Sequence, residues 1–205
     1  MDKITVALPT YCFIDINVLR LLYVCLDRVL PLEQLNFIKR IVHAKNYLCI
    51  EHWYCLPESF FMNLRFLKEV WLPDSVEIID DFSFYNCRSL TAIKLSKNLK
   101  MIGNYTFFDC MNLKYIELPP GLKIIGNYAF SNCKSLKKIN ITNPEAVIGK
   151  EAFSGCWNLN IVKLHPRITK IGEKAFRGCH RLNKTGFGEN DFRTLAQFGL
   201  SRGWV

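Results

Sequence analysis

Nowhere in this 205-residue chain is there an uncharged apolar run of about 18 residues, the length needed to cross a bilayer as a helix. The longest apolar stretch, "VLRLLYVCLDRVL", is broken by Arg20, Asp27 and Arg28, so no membrane span is expected. The opening "MDKITVALPTYCF" lacks the basic stretch and long apolar core of a secretory leader. Nine cysteines, an odd number, therefore point to reduced thiols and a cytoplasmic location rather than a disulfide framework. No C-x₂₋₄-C pair is present, which removes the usual zinc-ligand spacing. No G-x-x-x-x-G-K-[ST] loop is present to cradle phosphate, and "KTGFGEN" sits in no strand–loop–helix unit. Acidic residues are scarce: 18 Asp and Glu stand against 27 Lys and Arg, for a net charge of +9. What remains is half apolar and rich in aromatics, the composition of a folded chain with a real core.

That apolar content is periodic. Cys87, Cys110, Cys133, Cys156 and Cys179 are spaced by 23 residues. Phe84, Phe107, Phe130, Phe153 and Phe176 keep the same period, as do the leucines from Leu90 to Leu182 and the isoleucines from Ile79 to Ile171. Gly103, Gly126, Gly149 and Gly172 follow four of those isoleucines, and Asp80 follows the fifth. A weaker copy, with Phe61 and Leu67 in place, precedes them, so six copies cover residues 45–182.

Each segment of the unit has a physical reading. "LKYIEL" has the form L-x-x-I-x-L, which turns alternate side chains inward from a short strand. "LKIIG" alternates again and predicts a second short strand or extended run, with the glycine at a corner needing positive φ. "NYAFSNCKSL" predicts a short helical or 3₁₀ turn that puts Phe130, Cys133 and Leu136 on one face. One unit cannot bury its own apolar face, but stacked copies share a continuous core. In the fourth copy Glu145 stands where its neighbours have Val76, Leu99, Leu122 and Ile168, which predicts a local bend or bulge.

"LPPGLKIIGNYAFSNCKSLKKI" resembles the BspA-like class of leucine-rich repeats. The resemblance implies an α/β repeat fold: a curved solenoid with a parallel sheet on one face and short strands and short helical turns on the other. It also implies binding and interaction roles rather than a shared catalytic site.

The flanks are expected to cap the solenoid. Residues 1–44 have helix-like apolar spacing on both sides of Pro31, which suggests two helices and a tight turn. Residues 183–205 suggest a closing helix from Asn190. The chain is expected to be a monomer unless those caps dimerise.

An inward cysteine ladder reads as core thiols, so no catalytic, cofactor or metal residues are expected, and no enzyme. Partner binding falls instead to the outward strand residues. One row is Trp71, Lys94, Glu117, Asn140 and Lys163; the other is Glu69, Ala92, Tyr115, Lys138 and Ile161. From these rows the candidate site is Glu69, Trp71, Lys94, Tyr115, Glu117, Lys138, Asn140 and Lys163. An exposed Trp and Tyr among varied charges suit a protein interface, although the N-terminal cap could cover Trp71. Charge is uneven: residues 45–90 hold 4 basic against 7 acidic side chains, and residues 91–182 hold 15 against 5. The expected partner is therefore a protein with an acidic or mixed surface; the alternative is a polyanion such as nucleic acid on the basic coils.

Overall fold

The computed structural model describes the backbone of Thr5–Ala7 and residues 54–65, 67–72 and 74–182. The predicted helical caps, in 1–44 and 183–205, lie outside the described residues except for Thr5–Ala7. Those three residues form a strand, β1, that pairs in parallel with the first strong repeat: Thr5 with Glu69, Val6 with Val70, Ala7 with Trp71.

Parallel strands line two sides of the solenoid, the first side split into a four-stranded and a two-stranded sheet. The first orders β1, β3 (Glu69–Trp71), β5 (Ala92–Lys94) and β7 (Tyr115–Ile116), then β9 (Lys138–Ile141) paired with β11 (Ile161–Leu164). Between β7 and β9 the ladder thins to the Lys137 N–H donating to Lys114 O at 3.3 Å. The second sheet runs without interruption through β2 (Cys55–Leu56), β4 (Ile78–Ile79), β6 (Met101–Ile102), β8 (Ile124–Ile125), β10 (Val147–Ile148) and β12 (Lys170–Ile171). Alternation along each strand sends one side chain in and the next out, as in β9, where Ile139 and Ile141 are buried and Lys138 and Asn140 exposed.

In the core the phenylalanine ladder stacks from Phe61 to Phe176, with ring centroids 4.9–5.3 Å apart. Beside it each ladder thiol donates to the carbonyl of the phenylalanine 26 residues earlier. Cys133 Sγ reaches Phe107 O at 3.2 Å and Cys156 Sγ reaches Phe130 O at 3.2 Å. A small thiol therefore fills core volume and gives a buried carbonyl an additional, weak donor.

Two expectations are corrected. The turn after each glycine is not helical, and no helix occurs among the described residues. The N–H groups of Ala129, Ser131 and Cys133 do make local bonds to the third residue back. Those of Tyr128, Phe130 and Asn132 instead bond to Lys150, Ala152 and Ser154 of the next coil, at 2.7–2.8 Å. Reaching across requires left-handed backbone at Tyr128 (φ 56°) and Asn132 (φ 61°), which a helix cannot contain.

The second correction concerns the repeat glycines. Gly103, Gly126, Gly149 and Gly172 are not among the positive-φ residues, nor is Asp80. Glycine is needed there because coils touch: a Cβ on Gly126 would lie 2.5 Å from Gly103 C, and one on Gly149 2.5 Å from Asn127 N. In the fourth copy Glu145 is exposed and Ala146 takes the buried place, with the Glu145 N–H held by Asn143 Oδ1 at 2.9 Å. The turn has slipped by one residue.

Candidate interaction surface

The outward side of the first sheet is built by strand register. It sets Glu69 beside Ala92 and Ala92 beside Tyr115, and puts Trp71 next to Lys94. Lys138 lies beside Ile161 and Asn140 beside Lys163. All eight candidate residues thus come from this face. Seven are exposed and Glu69 is half-buried. β7 ends at Ile116, so Glu117 lies just past the paired residues. No ion pair joins Lys94 to Glu117 among the described residues.

Trp71 remains 51% exposed although β1 lies alongside, and Tyr115 is 59% exposed. The strands already order the backbone that carries these rings, so covering them costs little main-chain entropy. The Lys137 ammonium sits 5.8 Å from the Tyr115 ring centre, a cation–π distance.

The ladder cysteines from Cys110 to Cys179 are poorly placed as nucleophiles. Cys110, Cys133, Cys156 and Cys179 are buried free thiols. Burial pushes Cys110, Cys133 and Cys156 well above the ordinary thiol range, and Cys179 up to about 12. Cys179 is buried while adjacent His180 is exposed, so the two side chains diverge. No helix among the described residues is long and apolar enough to cross a membrane.

Two surface features were missed in the sequence. Trp157, 49% exposed, stacks under the Lys134 ammonium at 4.3 Å and meets His180 edge-on at 6.2 Å. It stands directly after a ladder cysteine, at a position that varies between copies, and that variation was the available signal. The outward row of the second sheet is mostly apolar: Cys55, Ile78, Met101, Ile124 and Val147, ending in Lys170. β1 had its own signal, since Val6-x-Leu8-Pro9 repeats the pattern of Val70-x-Leu72-Pro73.

The profile of the BspA type leucine rich repeat region matches residues 55–183 in six copies. This chain belongs to that family. Among solved structures, a leucine-rich repeat protein from Bacteroides ovatus is 36% identical with a TM-score of 0.59, covering 62% of this chain and 33% of that one. The chain thus spans about a third of that relative's length. A leucine-rich cell surface protein from Faecalibacterium prausnitzii is 31% identical, TM-score 0.51, covering 54% and 29%. The T. pallidum leucine-rich repeat protein, at 24% identity and a TM-score of 0.56, shares the fold over 74% of this chain and 79% of its own. No curated protein matches.

Proposed function

We propose that this BspA-type chain is a non-enzymatic protein-interaction scaffold, binding a protein of acidic or mixed surface through the outward face of its first sheet. The observation that carries the reading is the pair of open rings, Trp71 and Tyr115, on rigid strands amid lysines and glutamates. Tryptophan and tyrosine are enriched at binding hot spots, and repeat solenoids offer extended surfaces for such contacts. The scaffold acts as a monomer unless its flanking segments dimerise. The buried thiol ladder from Cys87 to Cys179 supports a reducing compartment for it, whereas a cell-surface location is stated for the F. prausnitzii protein.

The test is capture of partners from the native host with wild-type chain and with Trp71→Ala/Tyr115→Ala, followed by affinity measurement on what is captured. The double variant should keep its thermal midpoint and lose affinity by about tenfold or more. Equal affinity with the fold intact overturns the reading.

A further inference from the structure

Where each coil leaves its cysteine and turns into the first sheet, five short segments stack into a corner: 88–92, 111–115, 134–138, 157–161 and 180–182. Together they hold six Lys and Arg and no Asp or Glu. Elsewhere on the solenoid several lysines are neutralised at home: Lys97 by Asp74, Lys100 by Glu77, Lys150 and Lys174 by Glu173. Among the described residues, only Arg88 in the corner has an acidic partner, Asp109 at 3.5 Å, at the upstream end. Lys114, Lys134, Lys137 and Lys138 form no ion pair among the described residues. Two of them rest on rings instead, Lys134 on Trp157 and Lys137 on Tyr115. The corner is also rigid, because the side-chain amides of Asn112 and Asn158 donate to Arg88 O and Lys134 O, both at 2.8 Å.

We propose that this corner docks an extended acidic protein segment, its carboxylates on the unpaired lysines and its apolar side chains against Tyr115, Trp157 and Ile161. The proposal rests on the scaffold reading above and names the chemistry of the partner. Coils repeat about every 5 Å, so the corner runs about 20 Å, the reach of roughly six extended residues. The Lys134 and Lys137 ammoniums already lie over the Trp157 and Tyr115 rings, which leaves less ring face for a nucleic-acid base to stack on than for aliphatic side chains to pack beside.

The probe is a fluorescein-labelled peptide of about eight alternating Glu and Leu residues, read by anisotropy at about 0.15 M salt. Lys134→Glu/Lys137→Glu should weaken its binding by about tenfold or more, and Trp157→Ala by a similar factor. Lys123→Glu/Lys170→Glu, with the same charge change at the second sheet, should weaken it by less than about threefold. Thermal midpoints establish that each variant is folded. No binding of the peptide, equal loss from the two lysine pairs, or tighter binding of a single-stranded oligonucleotide than of the peptide would each overturn the proposal. Host-partner capture by Trp71→Ala separates the two readings, because Trp71 lies outside the corner. If that variant loses the partner while the peptide results fail, only the corner proposal falls. If the peptide results hold and Trp71→Ala binds the partner as wild type, the strand-face reading falls.

Discussion

Among the described residues two stacks of three or more aromatic rings run along this solenoid, one inside and one at the turn edge, and they end differently. The inner stack passes through Phe61 and every later copy to Phe176. The outer one, Phe82–Tyr105–Tyr128, has nearly the same spacing, 5.1 and 4.8 Å, but stops at Tyr128. Glu151 and Lys174 then take its position, and they keep the same left-handed backbone, φ 49° and 56°. The turn geometry is therefore imposed by hydrogen bonds between coils and is indifferent to the side chain. The inner ring cannot be exchanged in this way, because it fills space that nothing else occupies.

The sharpest way to break the contrast is Phe130→Ala, which opens a cavity between two stacked neighbours. It should cost about 3–5 kcal/mol, read from the urea midpoint. Next comes Gly149→Ala, whose Cβ would meet backbone of the preceding coil; about 1–3 kcal/mol is expected. Gly121→Ala is the control: its nearest atom would be Leu99 O at 3.9 Å, so its midpoint should hardly move.

A third test uses alkaline pH. Burial raises the Cys133 thiol, so above pH about 9 the unfolded chain releases a proton that the folded chain keeps. The stability this thiol gives is complete below the unfolded value and falls as pH rises toward the folded one. Cys133→Ala should flatten the alkaline decline by about 1.4 kcal/mol per pH unit, measured by denaturation at several pH values. The smallest effect is expected at the outer stack. Tyr105→Gly loses two stacked pairs, about 1–3 kcal/mol together, but relieves left-handed strain of about 1–2 kcal/mol, so the net loss should stay within about 1 kcal/mol. A large loss there would erase the distinction between the stacks.

The strands, the buried ladders and both outward rows of the first sheet were legible because a strand alternates with period two and the copies repeat without insertions. The turn was not legible, since Tyr128, Glu151 and Lys174 carry no sequence mark of the positive φ that their neighbours impose. The repeat glycines were seen but misread: a glycine needed for close approach looks the same in sequence as one needed for φ. β1 escaped because Thr5 pairs with Glu69, a separation that is no multiple of the 23-residue period. Trp157 escaped because the rows were traced along strands and it stands ahead of one, at the corner.

The slipped turn of the fourth copy has a consequence for how this chain can change in length. Ala146 does the work of Leu122 one residue late, yet Val147 and Ile148 pair in register with Ile124 and Ile125. The surplus is absorbed before the coil closes. From the next strand onward, Asn127 Oδ1 still accepts the Lys150 N–H at 2.8 Å, as Asn104 Oδ1 accepts that of Asn127. A single inserted or deleted residue can be hidden inside a lap if its partner change occurs in the same lap. Between laps nothing can be hidden, so this protein can be lengthened or shortened only by whole turns, like a chain edited link by link.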